Sequence, residues 1–236
     1  MTRRYVVGID GSRPSAAALR WAIARARRDP APFVLVHVDE EGGVHGDQAR
    51  PGAVLTAAAL ATVLDELPDA TVSVALLTGR VAGALAAAVE PDDLLVIGTG
   101  KTGFLHGRVL GSRSVQIALA APCSVAVIPD VDLRFRRGVV AGVERNETSG
   151  MIGRAAAREA SARGEELLLI QAVDRQVLDR IGPQRAGLAV SDAMTAARAE
   201  CPDLELRSRL SSRAPAEALL DTSRERALLV LGPGSS

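Results

Sequence analysis

Apolar and polar positions repeat along this chain in one rhythm. A short apolar run breaks at glycine or aspartate, and a longer stretch with apolar residues at helical spacing follows. Arg4 to Ile9 predicts a strand that closes on Asp10-Gly11-Ser12. The stripe Leu19, Ala22, Ile23 and Ala26, with Trp21 beside it, predicts a helix from about Ser15, with Pro14 and Ser15 as start signals. Phe33 to Val38 predicts a second strand closing at Asp39, and the polar, glycine-rich residues 40–52 a loop. A helix from about Ala53 to Glu66 leads to a third strand, Val72 to Leu77, ended by Gly79. Then come an alanine-rich helix, Val81 to Val89, and a fourth strand, Leu94 to Ile97. After a glycine-rich stretch, Ser112 or Ser114 is placed to cap a helix closed by Pro122, and Ser124 to Ile128 forms a fifth strand.

Strands alternating with helices at this spacing specify βαβ units and a parallel sheet. Such sheets take ligands at the carboxyl ends of their strands, where the strand order reverses. The first and fourth strands end in the chemically richest loops, so they are expected to be neighbours with that switch point between them.

The pattern then repeats at an offset of 134: Glu144 stands where Asp10 stood, and Gly232 where Gly98 stood. Val139 to Glu144 echoes the first strand, and Ser149 with a helix Ile152 to Ala162 echoes Ser15 and its helix. Leu167 to Asp174 echoes the second strand. Leu204-Glu205-Leu206 and a helix Ala216 to Leu220 echo the third unit, and Leu228 to Gly232 the fourth strand. The expected division is 1–131 and 132–236, two consecutive doubly wound α/β parallel-sheet domains, the second lacking its last helix and strand.

The stretch from Leu94 to Ser114 carries the chemistry. Glycines recur at 98, 100, 103, 107 and 111, which permit tight turns and close approach of a ligand to the backbone. A strand, a glycine loop and a helix N-terminus together present free N–H groups and a positive dipole, an arrangement suited to phosphate. The chain has a single lysine, Lys101, and it lies in this loop; a lysine is a compact charge suited to phosphate. Gly100-Lys101-Thr102 is not the end of a Walker A loop, because that motif needs a glycine at position 95, which is Leu95. Gly98, Gly100 and Gly103 have dinucleotide-fingerprint spacing, but they follow a fourth strand and no acidic residue lies about 20 positions on.

Composition narrows the partners. With Lys+Arg 28 against Asp+Glu 28 there is no global field for nucleic acid or an anionic membrane surface. Aromatic residues at 2% are too few for a base-stacking platform. No apolar run has the length of a bilayer span, and Cys123 and Cys201 lack metal spacing and read as reduced thiols, so a cytoplasmic location is expected. His37, inside an apolar strand, reads as a hydrogen-bonded core histidine, and His106 as a solvated loop residue. Arg134-Phe135-Arg136-Arg137, between the two halves, reads as a solvated linker.

The first half resembles the universal stress proteins, adenine nucleotide alpha hydrolase-like, Rossmann-like α/β domains. The likeness rests on the strand into Asp10-Gly11-Ser12, Leu35-Val36-His37-Val38, the glycine loop, and Ala121-Pro122-Cys123-Ser124-Val125. The nucleotide-binding members carry G-x-x-G-x(9)-G-S/T; Gly98, Gly111 and Ser112 fall on its first and last positions. Its second glycine falls on Lys101, with Gly100 one step earlier. The resemblance implies that the ligand is ATP, with or without Mg2+. It implies Asp10, with Gly11 and Ser12, beside ribose and phosphates, and Val38 against adenine. Gly98, Gly100, Lys101, Gly103, Gly111 and Ser112 would hold the phosphates, with Arg113 in reach. No nucleotide is expected in the second half, where Glu144 replaces the aspartate. An intramolecular pseudo-dimer or a homodimer is also implied.

Three function classes follow. The first is a nucleotide-binding regulatory protein of the stress response, without fast turnover. The second is an enzyme that hydrolyses ATP or transfers adenylate, against which stand the lack of a carboxylate pair, an activated nucleophile or a second basic group placed for a leaving group. The third is a nucleotide-free docking module, favoured by Lys101 at a glycine position. The first is the expectation; slow ATP hydrolysis stays open.

Overall fold

A computed structural model describes residues 3–40, 51–100, 112–132, 135–144 and 147–232. The chain forms two compact units, Met1–Val131 and Asp132–Ser236.

The first unit runs β1 (Tyr5–Gly8), α1 (Arg13–Ala26), β2 (Phe33–Asp39), α2 (Pro51–Glu66), β3 (Val72–Thr78), α3 (Val81–Ala87), β4 (Leu94–Thr99), α4 (Ser112–Ala120) and β5 (Ser124–Pro129). The strands pair in parallel in the order β3-β2-β1-β4-β5. Strand order therefore reverses between β1 and β4, as the loops at their ends predict. The central strands are mainly apolar because both faces are covered. Tyr5, Val7, Phe33, Leu35 and Val96 pack with Leu19, Ile23 and Val63 on one side. Val6, Val36, Leu95 and Ile97 pack with Leu85, Val89 and Ile117 on the other. At the amino edge Asp93, only 2% exposed, receives both forks of Arg4 at 3.0 and 2.6 Å and the Glu90 N–H at 2.8 Å.

The second unit runs β6 (Val139–Val143), α5 (Ser149–Arg163), β7 (Leu167–Ala172), α6 (Arg175–Ala186), α7 (Leu188–Glu200), β8 (Leu206–Ser211), α8 (Pro215–Ser223) and β9 (Leu228–Leu231). Its four described strands, all parallel, take the order β8-β7-β6-β9. The offset of 134 holds strand by strand: Tyr5 pairs with Phe33 and Leu94, and Val139 with Leu167 and Leu228.

Three expectations need correction. The third strand of this unit starts at Leu206, where the expected segment Leu204-Glu205-Leu206 ends. Two helices, α6 and α7, occupy a stretch to which the sequence pattern assigned nothing; Gly182, at φ 77°, breaks the first. Helices α1 and α2 each begin about two residues earlier than expected, at Arg13 and Pro51.

A buried side chain explains where α7 sits. Gln171, the counterpart of His37 at the offset of 134, is 3% exposed. Its Nε2 donates to the Ala186 carbonyl at 2.7 Å and its Oε1 accepts from the Val190 N–H at 3.1 Å, so one amide ties the α6–α7 junction to β7. Helices α5 and α7 then meet closely at Gly153, where a Cβ would stand 2.9 Å from the Ala193 carbonyl carbon.

Two predictions follow. Gly153→Ala gains about 0.5–1 kcal/mol of helix propensity but overlaps helix backbone, which costs about 1–3 kcal/mol. The overlap wins, and circular dichroism in urea should show an earlier loss of helix for the second unit; an unchanged or later transition would refute the close contact. Glu166 pairs with Arg226 and Arg207, and the Arg226 hydrogen bond holds its carboxyl below the usual range. A lowered folded-state value stabilises above the unfolded value and fades as pH falls through the folded one. The Tm deficit of Glu166→Gln should therefore be largest near neutral pH and shrink below the ordinary carboxylate value of 4.5; a deficit independent of pH would contradict this.

Candidate functional site

The carboxyl ends of β1, β2, β4 and β5 and the first turns of α1 and α4 lie along one edge of the first sheet. Each acidic residue there follows the end of a strand: Asp10 after β1, Asp39-Glu40 at β2, Asp130 after β5.

The β1 exit is built locally. Asp10 Oδ1 accepts the Ser12 N–H at 2.9 Å, an Asx turn, and Gly11 adopts φ 78°, which a side chain would strain. Ser12 Oγ caps α1 by accepting the Ser15 N–H at 3.2 Å, and Ser15 Oγ accepts the Asp10 N–H at 3.3 Å. Asp10, Gly11 and Ser12 are all exposed, so the turn faces outward.

Gly98, in β4, lies directly beneath this turn. A Cβ there would overlap the Pro14 carbonyl and stand 2.6 Å from the Ser15 nitrogen. The glycine thus lets the capped start of α1 rest on β4, and it brings the β1 turn and the β4 exit together. Gly100 is open by comparison, its nearest would-be contact being Pro14 Cγ at 3.8 Å. Val38 is half-buried and pairs with Leu77, its side chain packed on the α3–α4 side of the sheet.

His37 is half-buried in β2 and hydrogen-bonded, outside the apolar core that its strand suggested. Its Nδ1 lies 2.7 Å from the Ile9 carbonyl, which makes that nitrogen the donor. Its ring leaves no room for a side chain at Gly52, whose Cβ would stand 2.9 Å from His37 Cγ. His37 therefore positions the β1 exit and the start of α2.

Two ion pairs that the sequence pattern did not single out cross this edge. Arg13, first in α1, reaches Asp130 at 3.1 Å. Arg113, in the first turn of α4, reaches Glu40 at 3.3 Å. The signal available in the sequence was the acidic residue immediately after three strand ends. Lys101, Gly103 and Gly111 lie outside the described residues, as does His106; Ser112 is described as the first residue of α4. The structure thus brings Asp10, Gly11, Ser12, Gly98 and Gly100 to one place, and sets Val38 and Arg113 at its flanks.

Elsewhere, a concavity of about 450 Å³ in the second unit is lined by Phe135, Arg136, Arg137, Arg224, Glu225 and Arg226. Three of these arginines are already paired, with Glu165, Asp221 and Glu166. Among the described residues no cluster of His, Cys, Asp or Glu has the makings of a metal site. No described helix is long and apolar enough to cross a membrane.

Two doubly wound parallel-sheet units, the first with a capped helix start laid on a glycine at its switch point, define an α/β protein of the Rossmann-like class. The universal stress protein family profile matches residues 1–129, and the chain belongs to that family. A universal stress protein of Mycolicibacterium smegmatis is 27% identical over 251 aligned positions, covering 96% of this chain and 85% of the relative. One from Mycobacterium tuberculosis is 26% identical over 252 positions with the same coverage. A universal stress protein structure from Archaeoglobus fulgidus matches 94% of this chain and 83% of its own with a TM-score of 0.67 at 18% identity, a likeness of fold across both units.

Gly98→Ala should shift the α1 start away from β4 at about 1–3 kcal/mol. Trp21, the only tryptophan, lies on α1 and reports this unit, so its fluorescence in urea should show a lower midpoint. A wild-type midpoint would mean that the helix start is not seated on Gly98.

Proposed function

We propose that residues 1–131 form a nucleotide-binding domain that takes an adenine nucleotide, ATP with or without Mg2+, at the switch point between β1 and β4. In this reading Asp10 faces the ribose and phosphates with Gly11 and Ser12, and Val38 lies against adenine. Gly98, Gly100, Lys101, Gly103, Gly111 and Ser112 take the phosphates, and Arg113 reaches them from α4. The observation that carries the reading is the seat of the capped α1 turn on Gly98, which gathers Asp10, Ser12 and the β4 exit at one point of strand reversal. The protein then acts as a cytoplasmic stress-response regulator whose nucleotide changes its conformation, pseudo-dimer or homodimer packing, or partner docking. A fast enzyme is disfavoured, since the described edge holds no nucleophile paired with an oriented base.

The second unit (132–236) is read as nucleotide-free. Glu144 stands for Asp10, and Ser149 Oγ donates to the Glu144 carbonyl at 2.7 Å, whereas Ser15 Oγ accepts the Asp10 N–H. A nucleotide-free docking role for the whole chain is the second reading. The observation favouring it is that Arg113 already has a carboxylate partner.

Calorimetry with ATP and magnesium tests the choice. Wild type should bind near one nucleotide per chain, Gly111→Val should abolish binding, and Lys101→Ala should weaken it about tenfold or more, the scale of a charge-assisted hydrogen bond. No binding at millimolar ATP would reject the nucleotide reading and leave the docking role.

A further inference from the structure

The Arg113–Glu40 pair joins two sides of the site. Glu40 follows β2, while α4 packs on β4 and β5, and β1 runs between β2 and β4. Neighbouring strands lie about 4.8 Å apart, so the two sides are separated by roughly two strand spacings at the β1 exit. Arg113 reaches back across that exit, where Asp10 sits, to meet Glu40 on the far side.

The pair is built to be exchanged. It is a single contact of 3.3 Å, not a bidentate fork, and its side chains are 69% and 48% exposed. Such a pair holds its arginine weakly, because water screens both charges and two flexible side chains are ordered for one contact. A phosphate offers the same guanidinium more charge and more acceptor oxygens. When Arg113 turns to a phosphate, Glu40 is left as a bare carboxylate at the same mouth, and it repels each phosphate charge that enters.

We propose that Glu40 and Arg113 set the phosphate dependence of nucleotide binding: Arg113 exchanges its carboxylate partner for the phosphates, and Glu40 holds their affinity down. This rests on the nucleotide reading above. Adenosine, which carries no phosphate charge, is indifferent to the exchange; ATP feels it most and AMP less. The role is one of specificity, read out in how affinity changes with the number of phosphate charges.

The test is calorimetry at fixed ionic strength on wild type, Glu40→Gln, Arg113→Ala and the double variant, with ATP, AMP and adenosine. Both side chains are exposed, so unchanged far-ultraviolet circular dichroism is expected for all four proteins. Glu40→Gln should tighten ATP about two- to five-fold, the range of a surface pair. It should tighten AMP less and leave adenosine unchanged. In the Arg113→Ala background the gain for ATP should fall to less than half, the non-additivity of coupled residues. An equal gain with and without Arg113 would reduce Glu40 to simple repulsion and overturn the exchange. An equal gain for adenosine, or no gain in a wild type that does bind ATP, would overturn it while leaving the nucleotide reading intact. If neither wild type nor Glu40→Gln binds any nucleotide at millimolar concentration, both fall together.

Discussion

The first unit depends on one close approach, the start of α1 resting on the bare Cα of Gly98. A helix that follows β1 must cross to β4 to cover the sheet, and its capped turn has to lie somewhere on that strand. Any side chain at 98 would collide with backbone, which cannot step aside as a flexible side chain does. The same contact brings Asp10 and Ser12 over the β4 exit, so a packing constraint and a candidate binding edge share a residue. At the corresponding Gly232 a Cβ would stand 2.8 Å from Ile152 Cγ1, a side-chain atom instead. The second unit keeps the glycine without keeping the backbone contact, and its helix start carries no side-chain cap.

Much of this was legible in the sequence, for a definite reason. Strands covered on both faces are mainly apolar, so β1, β2, β4, β6 and β7 announce themselves as runs, and the edge strand β9, Leu228-Leu229-Val230-Leu231, reads as one too. Edge strand β8 does not. It reads Leu206-Arg207-Ser208-Arg209-Leu210-Ser211, polar at 207, 208, 209 and 211, and no run marks it. The repeat itself locates it, because Val72 carried forward by 134 is Leu206, and both pair with the start of their neighbouring strand. Helix α6 escaped because the first copy reads as a polar loop, 40–52, at its position; α7 stands 134 residues after the helix expected from Ala53 to Glu66 and was missed because the repeat was matched by its strands.

The site was legible in part, and the division follows the kind of interaction. The aspartate–glycine turn depends on residues within a few positions and was read from spacing, whereas the cap of α1 falls on Ser12, ahead of the start expected at Ser15. The reason for Gly98 depends on Pro14, far off in sequence, and no local pattern reveals it. The pairs Arg13–Asp130 and Arg113–Glu40 are of the same non-local kind. Their carboxylates were visible as acidic residues after strands, but which arginine each would meet is decided by strand order.

That strand order also bears on how charge is handled at the edge. Parallel strands direct all their carboxyl ends to one side, so residues placed there to stop strands gather as Asp10, Asp39, Glu40 and Asp130. An edge so acidic is unfavourable for an anion unless cations offset it, and Arg13 and Arg113, each from the first turn of a helix, supply that offset. Arginine in a first turn is itself opposed by the helix dipole, which prefers negative charge there. An arginine held against the dipole by a weak, exposed carboxylate gains from any phosphate that arrives, since the phosphate satisfies both the guanidinium and the helix N-terminus at once. The unfavourable placement is thus physically consistent with an anion site whose resting partners are its own strand-end acids.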